Sequence, residues 1–218
     1  MTQPAPDPFR GLLALLAALA LGLAGRSPAH AADLQVKVVG ARGQPVADAV
    51  VMAHRPGAAA GPIRFSWPMV VEQLHMQFRP FVLIAPVGAE VAFPNHDPFQ
   101  HHVYSFSPAK TFELKLYGHD ETRRVRFDRP GVISLGCNIH DDMTGFIRVV
   151  DTPWAAKTDA SGLAVIRGLP AGASRLTVWH PYLRGGRDLV REIAVPAAGT
   201  ALTISVDLKA APMRRGTY

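Results

Sequence analysis

Residues 131–143 read GVISLGCNIHDDM. They hold the chain's only cysteine, Cys137, with His140 three residues on and Met143 three after that. Alternation along the apolar run ahead of the thiol sets Ile133, Leu135 and Cys137 on one strand face, the inward one. The chain then leaves the strand and loops back, so a short loop presents Cys137, His140 and Met143 to one point. Gly136 permits close approach beside the cysteine. Further upstream, residues 93–107 read FPNHDPFQHHVYSFS and bring the adjacent pair His101-His102. Two imidazoles, one thiolate and a weak thioether are the donor set of a type-1 copper site. Soft sulfur favours Cu(I), imidazole accommodates Cu(II), and a rigid site between the two preferences changes little on electron transfer. His101 and Cys137 belong to different strands, so the donors meet only where a fold brings strand ends together. A Greek-key β-sandwich does this.

The lone cysteine also bears on compartment. Arg10 precedes the apolar run GLLALLAALALGLAG at 11–25, and AHA at 29–31 gives a small-x-small cleavage pattern. Residues 1–31 therefore read as a secretory signal cut after Ala31, the alternative being an uncleaved anchor. No other apolar run is long enough for a bilayer, so no stable membrane span is expected after cleavage. Exported cysteines usually pair, and one cysteine has no partner in its own chain. It is buried and inert, joined to another molecule, or held by a metal.

Of 218 residues, 48% are hydrophobic and 18% charged, enough to build a core, and 19 Gly and 19 Pro punctuate short Val/Ile/Leu runs. That pattern favours an all-β protein. The net charge is +6, with basic residues dispersed rather than in blocks. Nucleic acid calls for basic clusters interleaved with aromatics, so an acidic protein partner or an anionic membrane surface fits better.

Strand text starts at Asp33 with LQVKVVG, the turn ARGQP and VADAVVMA, and a Gly/Ala/Pro linker follows at 55–62. New strands fill 81–150, the composition shifts again near Pro153, and 210–218 is a polar tail expected to be mobile. PMVVEQLHMQF at 68–78 is the single helix candidate, a short helix or a loop. GQPVADAVV at 43–51 and TDASGLAVIRGLPAGASRLTV at 158–178 resemble the carboxypeptidase-regulatory-like, or prealbumin-like, β-sandwich. In that family the two halves follow closely, whereas here residues 61–152 separate them. The expected arrangement is a discontinuous prealbumin/Ig-like sandwich, 32–60 plus 153–209, with a cupredoxin domain, 61–152, inserted. The alternative is an independent arm and a separate C-terminal domain, but a lone hairpin is marginal in water.

The segment from about 78 to 150 resembles a cupredoxin, similar to plastocyanin and amicyanin. VAFPNHDPFQHHVYSFSPAKTFEL and FDRPGVISLGCNIHDDMTGFIRVVDTPWAAKTD carry the likeness. The whole chain beyond the signal resembles periplasmic methylamine-utilisation proteins of cupredoxin type. The resemblance implies one type-1 copper ion on His101, Cys137, His140 and Met143. It also implies electron transfer. With the export signal this is expected in the periplasm, and the basic exterior points to an acidic cytochrome or dehydrogenase as partner. Small cupredoxins carry His-Asn-Val where this chain has His101-His102-Val103. Alignment on Val103 makes His101 the ligand and His102 the stand-in for the Asn that bonds across to the Cys loop, with His102 as alternative ligand.

Asn95 and Asp97 read as local turn caps, His96 as a solvated loop residue, and Met76 as core filling that rivals Met143 for the axial place. Two other functions compete. The chain is a copper carrier or assembly factor, or its flanking sandwich binds carbohydrate or peptide through Trp154, Trp179 and Tyr182. An enzyme is not expected. A single cysteine excludes a dinuclear thiolate-bridged site, a multicopper oxidase needs several His-x-His pairs, and no Ser/His/Asp or paired-carboxylate constellation stands out.

Overall fold

The computed structural model describes residues 31–57 and 62–210, and their regular structure is entirely β. The expected signal, apart from Ala31, and the expected tail, apart from Ala210, lie outside the described residues. Among the described residues no helix is long and apolar enough to cross a membrane.

The apolar run before Cys137 is strand β10 (Gly131–Cys137), with Ile133, Leu135 and Cys137 buried and Ser134 exposed. This is the period-two pattern of a strand with one face inward. It is the middle strand of a five-stranded sheet whose order is β5 (Val82–Pro86), β11 (Thr144–Val150), β10, β7 (His101–Ser107), β8 (Lys110–Tyr117). β10 runs antiparallel to both neighbours, and Cys137 lies opposite Val103 and Gly136 opposite Tyr104. That register sets the end of β10 beside the start of β7. Cys137 and His101 meet there although 36 residues separate them. A ribbon of β6 (Ala89–Pro94) and β9 (Thr122–Phe127) packs on the same core, where Phe93 and Phe127 meet Ile133, Leu135 and Ile147. This half of the molecule is an all-β sandwich.

The other strands make a second sandwich. One sheet joins β1 (Ala31–Gly40), β13 (Leu163–Pro170) and β16 (Thr200–Val206). The other joins β2 (Val50–His54), β12 (Ala155–Lys157), β14 (Gly172–Trp179) and β15 (Leu189–Val195). Leu34, Val36, Val51, Ile166, Leu176 and Ile204 fill the core between them. Strands before residue 55 thus pair with strands after residue 154, and those between pair among themselves.

A third core joins the two systems. Val50 and Met52 of β2, Val82 and Ile84 of β5, and Trp179 pack together there. Alternate residues of β2 and β5 therefore face different cores, which is why VVMA and VLIA are uninterrupted apolar runs. The sheets are tied further by Lys157 Nζ, which donates to the Val82 carbonyl at 2.9 Å.

The helix candidate at 68–78 is neither helix nor plain loop. It forms a small ribbon, β3 (Glu72–Gln73) against β4 (Phe78–Arg79), closed by reciprocal backbone bonds between Leu74 and Gln77. His75 and Met76 at its tip have φ of 55° and 54°, in the left-handed region. The buried Gln73 side chain bonds the Tyr117 hydroxyl and anchors the ribbon on the sandwich.

Candidate metal centre

β7 begins at His101, β10 ends at Cys137, and the loop 138–143 carries His140 back toward the sulfur. Cys137 Sγ lies 3.7 Å from His101 Nδ1 and 3.7 Å from His140 Nδ1. One donor atom from each of the three falls within 4.8 Å of the others, and among the described residues no other His/Cys/Asp/Glu group does so. His101 is fully buried, Cys137 is 3% exposed, and His140 is half-buried. Met143 is buried in the same core as Cys137, and its N–H donates to the His140 carbonyl at 2.9 Å, closing the turn 140–143. Met76 sits half-buried in the β3–β4 turn.

Burial raises the pKa of the Cys137 thiol, but hydrogen bonds from His101, from the His102 and Ile139 backbones and from His140 outweigh it, bringing the thiol to about 6. Burial disfavours the charged form of His101, yet its bonds to Cys137 and Asp97 raise its pKa above the ordinary value. Asp97 is 2% exposed. Burial pushes its carboxyl up, while bonds from Met76, His101 and His75 hold it below the usual range. The pocket thus favours a thiolate, the form in which sulfur binds a metal.

The structure corrects two sequence readings. Asp97 is no local cap. Its carboxylate accepts from His101 Nε2 at 2.8 Å and from the backbone N–H groups of His75 at 2.6 Å and Met76 at 2.9 Å. The local cap is Asn95, whose Oδ1 accepts the Asp97 N–H at 2.9 Å. The His102 imidazole does not bond across to the Cys loop or join the donor group. Its Nε2 meets Glu113 Oε1 of β8 at 2.8 Å, and what His102 offers the sulfur is its backbone. The only early sign of Asp97 was its spacing of four before His101. A turn-cap reading hides a partner that lies on another ribbon.

No protein-family model matches this chain, and no curated protein does. Among solved structures, a copper-containing nitrite reductase from Thermus scotoductus is 31% identical over 44% of this chain, with a TM-score of 0.37. The chain spans only 25% of that reductase's length. A purple cupredoxin from Nitrosopumilus maritimus is 21% identical over 37% of this chain and 96% of its own, with a TM-score of 0.34. A reduced variant of amicyanin is 19% identical over 45% of this chain and 99% of its own, with a TM-score of 0.36.

The surroundings of the donors are apolar on one side. The Phe99 ring sits 5.2 Å from that of His101 and 5.4 Å from that of His140, and 40% of Phe99 is exposed. Pro98 and Ile139 are exposed as well. At Gly136 a Cβ would lie 2.7 Å from Tyr104 Cζ, which is the close approach read from the sequence. The aromatic residues named for a ligand on the flanking sandwich are engaged elsewhere. Trp179 and Tyr182 pack on Phe146, and Trp154 Nε1 donates to the Gly168 carbonyl at 3.1 Å.

Proposed function

We propose that this chain is an exported electron-transfer protein, not an enzyme, holding one type-1 copper ion through His101, Cys137, His140 and, more weakly, Met143. The observation that carries the reading is the convergence of two imidazole Nδ1 atoms on one sulfur, each at 3.7 Å, in a pocket that favours the thiolate. Two nitrogens and a thiolate, with Met143 buried in the same core as the cysteine, suit copper better than a hard cation. When bound, the ion supplies one-electron exchange between its two oxidation states.

The protein's own groups do the rest. Cys137 brings negative charge without needing a base, since its neighbours already stabilise the thiolate. His101 is buried and held from behind by Asp97, while His140 is the imidazole that reaches toward solvent. Phe99 lies against both rings and, with Pro98 and Ile139, forms an apolar face on which a redox partner docks. The net charge of +6 suits an acidic cytochrome or dehydrogenase, whose on-rate falls as salt rises. We read the periplasm as the compartment and a methylamine-oxidising system as the setting. In our reading, 32–60 with 153–209 form the mount, and 61–152 form the copper-holding insert.

The test is a titration of the purified protein with Cu(II), followed by absorption and voltammetry. An intense thiolate-to-copper band in the orange-red, lost in Cys137→Ser, and a reversible one-electron wave are expected. A colourless protein whose thiol stays reactive overturns the metal reading. A coloured protein that gives no reversible wave and releases copper to an apo-acceptor overturns electron transfer in favour of delivery.

A further inference from the structure

We propose that Asp97 is a positioning residue for His101: it grips the imidazole at Nε2–H, aims Nδ1 at the Cys137 sulfur, and fixes a negative charge behind that ligand. This rests on the copper reading above.

The bond pattern carries the inference. An ionised carboxylate only accepts hydrogen bonds. The Asp97 Oδ2 contact at 2.8 Å therefore assigns the proton to His101 Nε2 and leaves Nδ1 as the metal-facing nitrogen. Asp97 is 2% exposed, and a buried charge persists only when paired and hydrogen-bonded. Its remaining partners are the His75 and Met76 amides, 22 and 21 residues away. Those amides belong to consecutive non-glycine residues in the left-handed region, a conformation that lasts only where the surroundings impose it. One carboxylate thus ties the β3–β4 ribbon to the ligand.

The Asp97 backbone is fixed in turn. Its N–H donates to Asn95 Oδ1, and Asn95 Nδ2 donates to the Phe99 carbonyl at 2.8 Å and the Tyr117 carbonyl at 3.2 Å. A carboxylate placed this way does for a metal-bound imidazole two things that packing does not. It fixes the tautomer and ring angle, and it makes the ligand more basic. A more basic, negatively backed ligand favours the cupric over the cuprous ion and lowers the reduction potential. His101 is then the anchored ligand, and half-buried His140 is left as the one a partner reaches.

The experiment compares wild type with Asp97→Asn and His75→Gly, each loaded with copper. Voltammetry gives the potential, and proton–nitrogen NMR of the diamagnetic Cu(I) form gives exchange of the His101 Nε2–H. In wild type that proton is expected downfield and slow to exchange. In D97N it is expected to exchange faster, and cupric affinity is expected to fall about 10–100-fold relative to cuprous. Each tenfold raises the potential by about 59 mV for one electron. H75G, which relaxes the turn but keeps the carboxylate, is expected to leave both readouts unmoved.

A D97N protein with wild-type potential and wild-type Nε2–H exchange overturns the proposal, and so does an H75G shift equal to that of D97N. If D97N does not fold, the wild-type resonance decides: a fast-exchanging Nε2–H, or metal on Nε2, overturns it. Absence of the thiolate-to-copper band in wild type is a different failure, that of the copper reading itself.

Discussion

A buried thiol normally titrates high because burial penalises its anion. Cys137 is brought to about 6 instead, because His101, the His102 and Ile139 backbones and His140 all bond the sulfur. In the metal-free protein, the alkylation rate by iodoacetamide should therefore climb with pH through a midpoint near 6 and level off above it. A midpoint near the ordinary value of 9.0 would show that the donors do not act on the sulfur. The folded pKa lies below the unfolded one. The group's contribution to stability is thus fully present above pH 9.0 and is lost as pH falls through about 6. His101 has the opposite sign. Its raised pKa contributes stability below 6.5 that is lost as pH rises through the folded value. The two adjacent histidines separate by the same reasoning. His101→Ala should abolish the copper band, while His102→Ala, which removes a bond to Glu113, should keep it. Absorption spectra of the two copper-loaded variants check this, and a colourless His102→Ala beside a blue His101→Ala would reverse the assignment.

Elements explain why part of the site was legible and part was not. The order His101, Cys137, His140, Met143 and the inward face of β10 depend on local spacing and period, so the sequence displays them. The environment of His102 does not follow from alternation. β8 shifts register against β7 between His101 and Val103, and its burial pattern shows two exposed residues in a row, Lys115 and Leu116. Such a bulge turns the strand locally and re-aims side chains. The ribbon at 72–79 was hidden for a similar reason, since its tip is held by a carboxylate from another segment. Its far strand is also pinned sterically. Gly145 of β11 is buried, and a Cβ there would lie 2.7 Å from the Phe78 Cβ of β4. Phe78 is 2% exposed, and its Cβ is held close to the backbone, so it has little room to yield. Gly145→Ala should cost about 1–3 kcal/mol through overpacking. Urea unfolding of the metal-free protein measures it, and a change within error would mean that the ribbon floats free of the sheet.

At the scale of the whole molecule, the question is whether the two sandwiches act as one body. The shared core is built from strands that also line the other two cores, so removing its contacts loosens both sides at once. Trp179 is its largest member, 5% exposed, edge-on to Phe146 at 6.1 Å, with the Arg148 guanidinium 5.6 Å from its ring centre. Phe146 and Arg148 lie on β11, the strand that receives the chain directly after Met143. Arg148 is held in turn by Asp188, which precedes β15, at 2.6 Å. Stress on the seam therefore reaches the loop of donors through one strand. Wild-type, copper-loaded protein should unfold in a single transition, with the visible band and the far-ultraviolet β signal lost together. Trp179→Ala removes about 3–5 kcal/mol of packing, which for a chain of this size lowers the midpoint by roughly 6–20 °C. Both signals should move down by the same amount, because the cavity opens between the sandwiches and not inside either one. If the colour instead holds its wild-type midpoint while the β signal splits in two, the seam transmits nothing, and the flanking sandwich is a passenger on the metal-holding half.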